Sequence, residues 1–132
     1  MTYFLDTNIV SYVIKGNDKV RSHIVKLLSA GNEVKIPVVA YYEIKRGLLA
    51  TCSTAKLQLF LNFAQKLGIV NTTIETYDIA SQIYADLRIS GKNIEDADIF
   101  IGASTLEYGA ILITNNVEHL SRIKNIQIEP CG

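Results

Sequence analysis

Short apolar runs alternate along the sequence with longer segments whose apolar residues recur at helical spacing, and this alternation strongly limits the possible folds. The short runs predict strands, and the longer segments predict helices that each bury one face. Strands separated by helices form a parallel sheet with right-handed crossovers. We therefore predict an α/β protein with a mainly parallel central sheet, whose strands lie near residues 2–5, 34–39, 69–71, 110–114 and 126–128.

Helix start and stop signals divide the segments between these strands. Polar residues that can cap a helix precede the periodic segments, and glycine follows most of them. Pro37 indicates that the second strand ends there or lies at an edge of the sheet. We predict helices that start at Thr7 or Asn8, at Asp18, near Tyr41, at Ser53 or Thr54, at Thr76 and near Asp96, and that end at Gly16, Gly31, Leu49, Gly68, Gly91 and Gly109.

The length and composition are those of one folded domain that spans residues 1–132. Lys and Arg number 13, as do Asp and Glu, so attraction to nucleic acid would have to come from a local basic patch. Cys52 and Cys131 form no metal-binding or disulfide pattern, which favours the reducing cytoplasm. No apolar run approaches the length of a membrane span, and we expect no membrane association.

Acidic residues fall repeatedly at one edge of the predicted sheet. Asp6 directly follows the first strand, Glu43 lies early in the helix after the second, and Asp96 and Asp98 begin a later, otherwise apolar helix. Each has an ordinary explanation as a helix cap or an exposed helix residue. Independent caps have no reason to gather at the carboxyl edge of one sheet, where α/β proteins bind ligands. We therefore predict that these acids form a functional cluster.

Clustered carboxylates raise one another's pKa, so such a group is unfavourable unless protons or a cation neutralise it. Ligands that are all oxygen, with no Cys or His in the pattern, favour Mg²⁺, with Mn²⁺ as a second possibility. Mg²⁺ typically retains water and contacts substrate phosphates. The predicted chemistry is therefore metal-assisted hydrolysis of a phosphate ester or phosphodiester.

Four segments in this order resemble the motifs of PIN-domain nucleases, and their spacing over nearly the whole chain resembles the VapC toxins of toxin–antitoxin modules. The matching segments are Leu5–Asn8, Tyr42–Ile44 with Arg46–Gly47, Ile94–Ala103 and Ile113–Asn116. One departure is Asn116, which stands where many PIN domains have an aspartate.

The resemblance implies a three-layer α/β/α sandwich and a Mg²⁺- or Mn²⁺-dependent endoribonuclease that cleaves transfer or ribosomal RNA. It also implies a homodimer and a VapB-type antitoxin that blocks the site. By position, Asp6 and Asp98 match the principal metal ligands, Glu43 the third acid, and Asp96 an additional acid found in many members.

Several polar residues near these motifs are candidates for supporting roles. We expect the acids to be supported by Thr7, Ser104, Thr114 and Asn116, and RNA to be contacted by Arg46, Arg88 and Lys92. Glu118 and His119 are predicted to lie in a solvated loop. The broad apolar surface of the helix through Leu57–Leu67 is a candidate dimer contact.

Two other functions fit parts of the pattern. A phosphate-handling domain, such as a receiver or an aspartyl phosphatase, also places an aspartate at the end of its first strand. Against it, Asn8 replaces the second acid of an Asp-x-Asp signature, and no lysine follows the strand that ends at Thr114. A binding module of the same fold without catalysis is the other alternative, but clustered acids without a metal would only destabilise such a module.

Overall fold

The computed structural model describes residues 1–131, and a five-stranded sheet forms the central layer of the fold. The strands are β1 (Thr2–Leu5), β2 (Glu33–Pro37), β3 (Ile69–Val70), β4 (Ile111–Ile113) and β5 (Ile128–Glu129). Every paired neighbour is parallel, in the order β3-β2-β1-β4-β5. The predicted α/β class and parallel sheet are confirmed.

Helices connect the strands and flank the sheet. They are α1 (Thr7–Ile14), α2 (Asp18–Ser29), α3 (Val38–Ala50), α4 (Thr54–Leu67), α5 (Ile74–Ser90), α6 (Asp96–Glu107) and the short α7 (Val117–Leu120). The chain moves across the sheet from β1 to β3 and then returns past β1 to β4 and β5. Because crossovers between parallel strands are right-handed, the helices before β3 lie on one face of the sheet and those after β3 lie on the other. This arrangement gives the expected three-layer sandwich.

The core lies against the central strands. Phe4 and Leu5 on β1, Ile36 on β2, and Leu112 and Ile113 on β4 are almost completely buried. Such continuous apolar runs are typical of strands covered on both faces. Pro37 is the last residue of β2, which pairs on both sides, so its missing N–H ends the strand and does not mark a sheet edge.

Three predicted helix caps are wrong by one to three residues. Asp6, rather than Thr7 or Asn8, caps α1, and Asn17, rather than Asp18, caps α2. For α5 the cap is Thr73, and Thr76 occupies the N3 position of a capping box. In each case a neighbouring polar residue also fits a cap pattern, and only the backbone conformation distinguishes the two.

The end of the chain differs from the prediction in two ways. The predicted loop that contains Glu118 and His119 is the short helix α7, and the last strand lies at Ile128–Glu129 rather than at residues 126–128. In the described part of the chain, no helix is both long and apolar enough to span a bilayer.

The proposed dimer surface on α4 is only partly open. Phe60, Ala64 and Leu67 are buried in the core, whereas Leu59 is 53% exposed. The homodimer therefore stays a prediction.

Candidate active site

The order of the strands creates a crevice beside Asp6. The chain moves outward from β1 to β3 and then returns to place β4 on the other side of β1. A crevice opens at such a reversal, outside the carboxyl ends of the two strands. Asp6 follows β1 and Thr114 follows β4, so both residues lie at this reversal point.

Asp6 is held rigidly at the bottom of the crevice. Its side chain is only 3% exposed, yet both carboxylate oxygens have donors. The backbone N–H of Thr7 donates to Oδ1 at 2.8 Å, and the hydroxyl of Thr114 donates to Oδ2 at 2.6 Å. Burial raises the pKa of Asp6, the two hydrogen bonds oppose this, and Glu43 adds to it, so that the net shift is upward.

Thr7 connects Asp6 to Glu43. While its backbone contacts Asp6, its hydroxyl donates to Oε1 of Glu43 at 2.6 Å. The guanidinium of Arg46 lies 3.7 Å from Oε2 of the same glutamate and packs over the ring of Tyr42. One threonine thus contacts two acids that are distant in the sequence.

Asp98 approaches the same crevice from the first turn of α6. Burial raises its pKa most, the nearby carboxylates of Asp6, Glu95 and Glu43 add to the rise, and His119 opposes it, so that the pKa of Asp98 reaches about 6. The side-chain amide of Asn116 lies 3.5 Å from Oδ2 of Asp98, at the limit of a hydrogen bond.

A short hydrogen-bonded chain links the end of β4 to both aspartates. The Asn116 backbone N–H donates to the Thr114 hydroxyl at 2.9 Å, and that hydroxyl donates to Asp6. The segment Thr114–Asn116 therefore orients Asp6 through a hydroxyl and approaches Asp98 through an amide. Thr114 and Asn116 both contact the aspartates, and their supporting roles stay a prediction.

A cavity of about 570 Å³ brings these groups together. Asp6, Glu43 and Asp98 all line it, so three of the four predicted acids share one space. Its other lining residues include Thr7, Asn8, Asn93, Ile94, Glu95, Asn116 and His119.

The structure places Asp96 outside the cluster of acids to which it was predicted to belong. It is the first residue of α6, and it lines a different cavity together with Tyr77 and Tyr84 of α5. Two residues along a helix correspond to a rotation of about 200°, so Asp96 and Asp98 cannot face the same side. The structure therefore places Asp96 outside the acidic cavity that Asp98 lines.

Other predicted residues also lie outside the cavity. Ser104 is buried within α6, and neither Arg88 at the end of α5 nor Lys92 after it lines the acidic cavity. Arg46 contacts the site only through Glu43. The functional roles predicted for Ser104, Arg88 and Lys92 receive no support from their placement.

Glu95 and His119 line the cavity but are absent from the predicted site. Glu95 is the N-cap residue of α6, immediately before the first turn that contains Asp96 and Asp98. His119 reaches the cavity because residues 117–120 form a helical turn after Asn116. His119 lies three residues after Asn116. This spacing brings two side chains together only in a helix, so the sequence indicates a site position for His119 only if the segment is known to be helical.

The donor set suits a hard cation, but the acids do not form a closed cage. No group of three or more Asp, Glu, His or Cys side chains within residues 1–131 is close enough to hold a metal by itself. The expected set of four carboxylate ligands stays a prediction, of which Asp6, Glu43 and Asp98 line the cavity. Mg²⁺ retains several waters and binds through one or two carboxylates, so Asp6 and Asp98 in this cavity fit such an ion.

Comparisons with known proteins agree with this geometry. The PIN domain family matches residues 3–126. Ribonuclease VapC2 of Haemophilus influenzae is 30% identical over 137 residues, covering 98% of this chain and 97% of that protein. Ribonuclease VapC2 of Rickettsia felis is 26% identical, covering 98% and 97%.

Solved structures show the same architecture. VapBC2 from Rickettsia felis, bound to a DNA fragment from its promoter, contains a chain that superposes with a TM-score of 0.91 at 26% identity, over 100% of both chains. VapBC-1 from nontypeable Haemophilus influenzae gives 0.88 at 23% identity, over 98% of both chains, and supports the fold alone. By sequence match over nearly its full length, the chain belongs to the PIN domain family and, within it, to the VapC ribonucleases.

Proposed function

We propose that this protein is a divalent-metal-dependent endoribonuclease and the toxin of a toxin–antitoxin module. The observation that carries the proposal is the convergence of Asp6, Glu43 and Asp98 on one cavity at the reversal point of the sheet. Membership of the VapC ribonucleases supports the same chemistry. Transfer or ribosomal RNA is the proposed substrate class.

Asp6 and Asp98 are the proposed metal ligands, with Mg²⁺ favoured over Mn²⁺. Burial and, after it, repulsion from Asp6, Glu95 and Glu43 raise the pKa of Asp98, and a bound cation would offset that repulsion. When bound, such an ion would supply charge for the scissile phosphate and an activated water.

The protein's own groups have separate tasks in this proposal. Thr7 and Thr114 hold Asp6 in one orientation through short hydrogen bonds. Thr7 and Arg46 each engage one oxygen of Glu43 and orient this carboxylate at the cavity wall, where it would position the attacking water. Hydrolysis with in-line attack on phosphorus would leave a 5′-phosphate and a 3′-hydroxyl.

A protein partner is also part of the proposal. The similar solved structures are VapBC complexes, in which a VapC chain is accompanied by VapB. We propose that a VapB-type antitoxin binds this chain and covers the acidic cavity. We further propose that the chain forms a homodimer.

The central test compares RNA cleavage by the wild-type protein, Asp98→Asn and Asp96→Asn. With Mg²⁺ present, the wild type should cut RNA and EDTA should stop it, whereas Asp98→Asn should lose at least a hundredfold in rate. Asp96→Asn is the matched control, because it removes the same charge two residues away but outside the cavity. Cleavage by Asp98→Asn at the wild-type rate would contradict the proposal.

A further inference from the structure

A second groove joins the acidic cavity at Glu43. It lies between α1, α3 and the start of α4, has a volume of about 370 Å³, and has Glu43 in common with the acidic cavity. Ile14, Ile44 and Leu48 form its apolar lining, and hydroxyl groups occupy the side near α4. Because Glu43 lines both spaces, the groove adjoins the acidic cavity at that side chain.

Two lysines line this groove. They are Lys15, which follows α1, and Lys56 in the first turns of α4, and both are exposed. Within residues 1–131, neither lysine lies within salt-bridge distance of an acid. By contrast, Lys45 and Arg46 on α3 contact the rings of Tyr41 and Tyr42. Lys15 and Lys56 therefore line the groove with no acidic partner among residues 1–131, and both can contact an anionic ligand.

Gly47 leaves open space in the same groove. It lies inside α3, where glycine is less favourable than alanine because it loses more backbone freedom on folding. A Cβ added at Gly47 would meet no atom within 4 Å, so neighbouring side chains do not require a glycine there. The open space faces the groove, which suggests that it accommodates something other than this chain.

We propose that this groove is a subsite for the RNA strand, in which a nucleotide next to the scissile phosphodiester lies over Gly47 and its phosphate contacts Lys15 and Lys56. This inference rests on the proposed endoribonuclease function. The apolar lining offers a surface to a base of any identity, and the hydroxyls of Ser11 and Thr51 can contact the sugar.

Charge complementarity favours a polyanion in this position. The acidic cavity repels RNA wherever no metal neutralises it, and the chain as a whole has no net positive charge. Cations immediately outside the acids would hold the flanking phosphate while the acids and a metal engage the scissile one. The two adjoining spaces thus separate backbone binding from chemistry.

The first experiment measures RNA binding without cleavage. In the Asp98→Asn background, the double variant Lys15→Gln/Lys56→Gln is titrated with a labelled single-stranded RNA of mixed sequence at several salt concentrations. We expect binding to weaken by roughly tenfold near 0.1 M salt, and the slope of log K against log salt to fall by about 1.4, which corresponds to two lost phosphate contacts.

The charge-matched control is Lys19→Gln/Lys26→Gln. These two lysines are exposed on α2 and do not line the groove. We expect the control to bind RNA within about twofold of its parent, with an unchanged salt slope. Equal losses from both double variants would mean that only overall charge matters, and this would overturn the proposal.

The second experiment changes the volume of the groove and leaves its charge unchanged. Gly47→Ala and Gly47→Met should each leave the midpoint of thermal unfolding unchanged or raise it by roughly 2–6 °C, because alanine and methionine favour a helix more than glycine does. RNA binding should weaken as the side chain grows, with a loss of about tenfold or more for methionine. Ala50→Met places the same side chain on α3 outside the groove and should leave binding unchanged.

The outcomes separate this proposal from the proposed function. If the wild-type protein cleaves RNA but Gly47→Met binds RNA as its parent does, the subsite is wrong and the nuclease assignment stands. If Gly47→Met binds RNA normally but loses its protein partner, the groove is a protein-binding site, which also overturns the subsite. Failure of the wild-type protein to cleave RNA would instead contradict the proposed function.

Discussion

The ionisation of Asp98 is opposed by its surroundings, since it is partly buried and faces three other acids. Its pKa rises from 3.8 to about 6, so the folded protein retains a proton that the unfolded chain releases near pH 4. Stabilisation from this proton is fully present below about pH 4 and is lost as the pH rises through 6. At pH 7 the ionised carboxylate therefore destabilises the metal-free fold.

Asp98→Asn should remove this pH-dependent destabilisation. We expect a gain of about 1–2 kcal/mol at pH 7 in EDTA, after allowance for solvent screening at a partly exposed site, and no gain at pH 4. Urea unfolding at pH values from 4 to 7 measures it. Asp96→Asn, outside the cavity, should not show this pH dependence, and a gain for Asp98→Asn that is constant across pH would contradict the electrostatic explanation.

Thr114 has a different role from other buried threonines. Thr114→Val would leave one oxygen of buried Asp6 without its hydroxyl donor and the Asn116 N–H without its acceptor. We expect a loss of about 2–3 kcal/mol and a further rise in the pKa of Asp6. Thr105→Val is the control, because this buried hydroxyl contacts only the Ile101 carbonyl of its own helix.

The Thr105→Val control should lose no more than about 1 kcal/mol. Urea unfolding at pH 7 compares the two variants. Equal losses from both substitutions would show that Thr114 acts as an ordinary packed side chain rather than as the donor that holds Asp6.

At the scale of elements, the helices differ in how firmly their first turns are capped. Thr73 caps α5 through a reciprocal pair of hydrogen bonds with Thr76, and both hydroxyls also donate to Glu107 on α6. Ser53 caps α4 without any hydrogen bond from its side chain to the helix. Side-chain hydrogen bonds thus tie the start of α5 to α6, whereas the start of α4 is joined to α3 through the Ser53 backbone N–H and the Leu48 carbonyl.

Thr73→Ala should therefore destabilise the protein by about 1–2 kcal/mol, because it removes the cap and one bond to Glu107. Ser53→Ala, the same kind of change at another N-cap, should cost less than about 0.5 kcal/mol. Thermal unfolding of both variants measures the difference. A larger loss from Ser53→Ala would contradict this view of the two caps.

Elements were predictable from the sequence to different degrees. The apolar runs that became β1 and β4 and the glycine that ends α5 are local signals, and the structure follows them. The sequence does not identify the cap of α5, because Thr73 and Thr76 both fit the cap pattern and only the extended backbone of Thr73 distinguishes them. Helix α7 is not predicted, because a segment of four residues is too short to show the spacing of apolar residues that identifies a helix.

At the scale of the whole molecule, the strand order determines which acids can meet. The sequence predicts a parallel sheet but not the order β3-β2-β1-β4-β5, and it is this order that places Thr114 beside Asp6. Asp6 and Asp98 could be predicted because each follows a recognisable pattern at the carboxyl edge. Glu95 and His119 could not, since their entry into the cavity depends on how α6 and α7 are placed.

Calorimetric titration of Mn²⁺ or Mg²⁺ into the wild-type protein, Asp98→Asn and Asp96→Asn tests the central claim, that distant acids meet to hold a hard cation. We expect saturable binding by the wild type and by Asp96→Asn, and binding at least about tenfold weaker for Asp98→Asn. Unchanged affinity in Asp98→Asn, or a loss confined to Asp96→Asn, would contradict it.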